Sequence, residues 1–106
     1  MLARTPIGQR FYQWVASQDP KHRYLYTNCC ECACGRFLQE ELDLSWDETR
    51  NSYQAALFSW HNCSNKLEAK YIWRMFNPIA AAEDHNDWTF GKLAARIEEQ
   101  MPECVA

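Results

Sequence analysis

Glycine is scarce in this 106-residue chain, with only Gly8, Gly35 and Gly91 present. No glycine-rich run exists to let backbone amides cradle a phosphate. The D-x-D-x-[DN]-G pattern of a calcium-binding loop is also missing. Basic excess is absent too: eleven Lys and Arg stand against fourteen Asp and Glu, for a formal net charge of -3. A general nucleic-acid binder needs a basic footprint to release counterions, so direct nucleic-acid binding is not expected. No apolar run approaches the ~18–20 residues that span a bilayer. The opening MLARTPIGQRFYQW lacks the apolar core of an export signal, which predicts a cytoplasmic location and no membrane association. With no internal repeat, low-complexity tract or linker, the length reads as one domain over 1–106.

What the chain has in quantity is apolar and aromatic surface. Hydrophobic residues make up 47% and aromatics 14%, including five tryptophans, which predicts a globular chain with a dense core. Six cysteines are present, four of them within Thr27–Glu41, TNCCECACGRFLQEE. In a reducing compartment these are thiols, and cysteines this close on a helix cannot all pair in good disulfide geometry.

The apolar spacing is helical nearly throughout. Thr5-Pro6 marks a helix start, and Ile7, Phe11, Trp14 and Val15 form one face before Asp19-Pro20 ends it. Lys21–Tyr26 alternates and reads as a short extended segment with no strand to pair with. Thr27 or Asn28 caps a second helix whose face is Cys30, Ala33, Cys34, Phe37, Leu38 and Leu42. Ser45 and Glu48 make a capping box for a third helix that carries Tyr53, Ala56, Leu57 and Trp60. A fourth begins near Ser64 or Asn65, with Leu67, Tyr71, Ile72 and Met75 on one face and Trp73 and Phe76 widening the apolar surface toward burial on two sides, and Asn77-Pro78 breaks or redirects it. Asp87 or Thr89 caps the last, with Phe90, Leu93, Ala94, Ile97 and Met101 inward and a frayed tail from Glu103. The expectation is a mostly α-helical, compact single domain of four or five helices, with at most a minor extended segment.

Two groups of residues are candidate sites. The first is the run Glu40–Glu48, EELDLSWDE, with five acids and no base. Glu40, Glu41, Asp43, Trp46, Asp47 and Glu48 form a candidate partner-binding surface in which the acids complement a basic partner and Trp46 anchors the contact. Helix capping accounts for part of that acidity. The acids Asp84, Asp87, Glu98, Glu99 and Glu103 are candidates to extend it.

The second group is the cysteine cluster. Cys29 and Cys32 have zinc-ligand spacing, and His61 with Cys63 would complete a tetrahedral set. Several cysteine pairs meet that spacing by default, the knuckle glycine is absent, and H-x-C is tighter than usual ligand pairs. Cys29 and Cys30 near a helix start would have a lowered pKa, but no βαβ context supports a thioredoxin-like site. The reading preferred here is a buried face of small residues, because free cysteine behaves as a small hydrophobe. No cofactor and no enzymatic activity are expected, with a zinc or thiol regulatory protein as the alternative.

Three stretches carry a resemblance: Phe11–Pro20 (FYQWVASQDP), Cys32–Leu38 (CACGRFL), and Phe76–Ala80 (FNPIA) with Trp88–Glu98 (WTFGKLAARIE). They resemble small uncharacterised proteins of bacteriophages and proteobacterial prophages. The resemblance implies a phage origin. Small acidic phage proteins without enzyme motifs are often inhibitors of host machines, the anti-CRISPR proteins among them. It therefore implies a host protein or protein–nucleic-acid complex as partner.

Overall fold

The computed structural model describes residues 4–26, 31–50, 67–82 and 84–105. The protein is mostly helical, and five helical segments stand among the described residues. These are α1 (Arg4–Ser17), α2 (Ala33–Glu41), α3 (residues 46–50), α4 (Leu67–Ala80) and α5 (Phe90–Gln100), with 3-10 turns at His85–Asp87 and Pro102–Cys104. The radius of gyration is 12.8 Å, which matches the ~13 Å of one compact domain of this length.

The core is aromatic, and α1 lies at its centre. Ile7, Phe11, Trp14 and Val15 are buried along one side of α1 at the predicted spacing. The Phe11 ring meets Phe37 of α2 edge-on at 5.2 Å and Phe76 of α4 at 4.5 Å. Trp14 meets Phe37 at 5.7 Å and Phe90 of α5 at 5.4 Å, both edge-to-face. Such pairs add ~0.5–1.5 kcal/mol each beyond the area they bury. One residue pair on α1 thus joins three other helices.

Helix ends follow local chemistry. Helix α1 already begins at Arg4, so Thr5 lies inside it and Pro6 sits in the first turn, where a missing N–H costs no ladder bond. At its far end the Ser17 hydroxyl and the Gln18 amide both donate to the Trp14 carbonyl, at 2.7 and 3.0 Å. Asp19 then folds the chain back, its carboxylate accepting from Lys21 N and its carbonyl from His22 N, both at 2.9 Å. The N-cap of α2 is Cys32, whose Sγ accepts from Gly35 N at 3.4 Å. The predicted caps Thr27 and Asn28, and Cys30, lie outside the described residues. Thr89 caps α5 as expected, with its side chain accepting from Lys92 N at 3.4 Å.

Three expectations need correction. Helix α4 is not broken at Asn77-Pro78 but runs on to Ala80. Pro78 is on the exposed side, and Ala81 N still bonds Asn77 O at 3.1 Å. The buried stripe of α4 is Ala69, Ile72, Trp73, Phe76, Ile79 and Ala80, while Met75 is exposed and Tyr71 half-buried. Leu67's side chain lies outside the described ones. Nor is the tail frayed at residues 103–104: Pro102–Cys104 form a 3-10 turn, Cys104 is buried, and a Cβ placed on Gly8 of α1 would stand 2.9 Å from Cys104 Sγ.

The extended segment Lys21–Tyr26 does find a partner. Arg23 and Thr89 form an antiparallel bridge, with Tyr24 N donating to Trp88 O and Phe90 N to His22 O, both at 3.0 Å. Close approach here depends on Gly91. Its N–H bonds Pro20 O at 3.0 Å, and a Cβ there would lie 2.9 Å from that same oxygen.

The segment is locked by Arg96, one turn further along α5. Arg96 Nε donates to Ile79 O at 2.8 Å, Nη1 to Asp87 O at 3.2 Å and Nη2 to Tyr24 Oη at 3.0 Å. Tyr24 passes its own proton to Ala80 O at 2.8 Å. Trp88 Nε1 donates to Ala82 O at 3.0 Å. The Ile79 and Ala80 carbonyls at the end of α4 are thereby satisfied by a cation and a phenol, which suits the negative end of a helix dipole, and the indole takes the Ala82 carbonyl just beyond it. Burial pushes the Tyr24 phenol up to about 12, against the opposing pull of Arg96.

Candidate interaction surface

The predicted surface residues span the corner from the end of α2 (Glu40, Glu41) through Asp43 to the first turn of α3 (Trp46, Asp47, Glu48). Helix α2 is seated by Ala33, Cys34, Phe37 and Leu38, all fully buried, with Leu42 and Leu44 packed against the core. Its last turn is held by Arg10 of α1, whose Nη2 donates to Glu41 O at 3.2 Å. Leu42 N and Leu44 N both converge on Leu38 O, at 3.2 and 3.1 Å. Between them Asp43 has φ 57, the left-handed conformation that aspartate tolerates better than branched residues do.

Helix α3 then starts with the expected capping box. Ser45 N donates to Glu48 Oε1 at 2.9 Å, and Glu48 N donates to Ser45 Oγ at 3.1 Å. One turn in, Thr49 is buried and bonds Ser45 O through both its hydroxyl and its amide, each at 2.9 Å. The corner is therefore fixed by backbone bonds before it and by a reciprocal cap after it.

The six predicted residues are brought together but do not play one role. The Glu40 carboxylate accepts the Trp14 indole N–H at 3.3 Å and lies 3.6 Å from Arg36. Glu41 lies 3.7 Å from Arg10. Glu48 is the capping carboxylate. Asp43, Trp46 and Asp47 face outward, and Trp46 is 53% exposed. The acidic face is thus narrower than the sequence suggested, because two arginines from the fold answer two of its acids.

Exposure separates Trp46 from the other described tryptophans. Trp14, Trp73 and Trp88 are all 8% exposed or less. Trp88 is a core residue with its indole N–H bonded to Ala82 O; Trp60 lies outside the described residues. Of the acids proposed to extend the surface, Asp87 pairs with Lys92 Nζ at 2.7 Å, which holds its carboxyl below the usual range. Glu98 accepts from Tyr12 Oη at 2.6 Å, and Asp84 accepts from Asn86 N at 2.9 Å. Glu99 and Glu103 are exposed.

For the thiol and metal readings, Cys29, His61 and Cys63 lie outside the described residues. Cys32 is buried and used as a cap. Cys34 is fully buried, burial pushes its thiol well above the ordinary range, and its Sγ lies 4.0 Å from Ile72 O. The thiols expected to have a lowered pKa, Cys29 and Cys30, lie outside the described residues. Among the described residues no group of three or more His, Cys, Asp or Glu could hold a metal ion. No helix among them is long and apolar enough to cross a membrane.

Sequence reasoning missed Arg96 and the docked Cys104. Arg96 sits beside the buried Ile97 on an otherwise Ala-rich turn, a position from which a long cation reaches inward. Cys104 left no local signal, since its partner surface is 96 residues away at Gly8. Comparison with protein-family models, curated proteins and solved structures finds no match.

Proposed function

We propose that this protein is a small, non-enzymatic protein-binding module that presents the 43–47 corner to its partner. The observation that carries this is the half-exposed Trp46 on a corner held by backbone hydrogen bonds before it and a capping box after it. Covering the rest of that indole would remove ~100 Å² of mostly apolar surface, worth roughly 2–3 kcal/mol. A preset backbone means little ordering entropy is lost on binding. Asp43 and Asp47 flank the indole and favour a basic partner by steering encounter and fixing register.

The resemblance to small phage proteins supports a more specific reading: a phage-encoded inhibitor that acts in the host cytoplasm on a defence complex. The exposed acids would meet the basic surface that such a complex uses for nucleic acid. A zinc or thiol regulatory protein built on Cys29, Cys32, His61 and Cys63 is the alternative.

The test is capture from bacterial lysate with the purified protein as bait, followed by mass spectrometry and a zinc assay on the same preparation. Parallel baits carry Trp46→Ala or Asp47→Asn. The reading predicts a stoichiometric partner lost with Trp46→Ala and weakened with Asp47→Asn. One zinc per chain with no partner would replace it with the metal reading. A partner retained by both variants would move the contact away from this corner.

A further inference from the structure

We draw no further inference here: the strongest candidate, the 43–48 corner where Trp46 stands 53% exposed beside Asp43 and Asp47, belongs to the surface already described, and nothing in the structure shows what covers it.

Discussion

Replacing Arg96 with methionine tests the logic of the fold most sharply. The substitution keeps much of the aliphatic bulk and removes the guanidinium that reaches Ile79 O, Tyr24 Oη and Asp87 O at 2.8, 3.0 and 3.2 Å. Hydrogen bonds from a charged donor contribute ~1.5–3 kcal/mol each when the partner is buried. Ile79 and Tyr24 are buried and Asp87 is not, so the first two bonds dominate. Water can reach part of the site, which trims the loss. The expected destabilisation for Arg96→Met is roughly 3–4 kcal/mol, a large share of the ~5–15 kcal/mol typical of a domain. Arg96→Lys keeps the charge but cannot fork to three acceptors, so it should fall between wild type and Arg96→Met. Urea unfolding followed by far-ultraviolet circular dichroism reads both. An Arg96→Met protein within ~0.5 kcal/mol of wild type would refute the claim that this clamp closes the end of α4.

Other expectations follow from the same geometry. Alanine at Gly91 would place its Cβ 2.9 Å from Pro20 O, a backbone atom; even after the ~1 kcal/mol gained in helix propensity it should cost a net ~1–2 kcal/mol. Alanine at Gly8 meets only side-chain atoms, Cys104 Sγ at 2.9 Å and Tyr71 Oη at 3.4 Å, so it should cost less and speed the reaction of Cys104 with a thiol reagent. Tyr24 keeps its proton to about 12 when folded, against 10.0 as the ordinary value. The folded chain therefore binds more protons across that window, and stability should fall by up to roughly 2–3 kcal/mol as pH rises through it. Cys34, also raised, adds a loss of the same sign that begins near its ordinary value of 9.0; urea midpoints at stepped pH would show both. Ser45→Ala should cost ~0.5–2 kcal/mol by opening the capping box. In native protein, mass-mapped alkylation should spare Cys32 and Cys34; rapid labelling of Cys34 would contradict its burial.

Much of this architecture was legible because it is written in local steps. Phe11, Trp14 and Val15, then Phe37 and Leu38, then Phe90, Leu93 and Ile97 repeat at helical spacing, and each is buried. Ser45 with Glu48, and Thr89, announce helix starts through their own backbone bonds. Helix α4 misled because it is apolar on too many sides: Tyr71 and Met75 match the period as well as Ile72 and Phe76 do. Long-range packing selects the inward face, with Phe76 against Phe11 and Ile72 beside Cys34. Pro78 misled for a related reason, since an exposed ring near a helix end removes one bond without disturbing the core. The candidate surface was legible as a stretch but not as a charge. Arg36 and Glu40 are spaced i, i+4 and could be read as a pair, whereas Arg10 reaches Glu41 only through the docking of α1 on α2.

The exposure of Trp46 among the described tryptophans, the other three of which are buried, is the centre of the functional account, and hydroxyl-radical footprinting reads it residue by residue. The protein would be oxidised free and again in the complex captured from lysate, and each tryptophan quantified by mass spectrometry. The account predicts that Trp46 is oxidised in the free protein and protected in the complex, with Trp14, Trp73 and Trp88 protected in both. A stoichiometric complex in which Trp46 is oxidised as readily as in the free protein would contradict it.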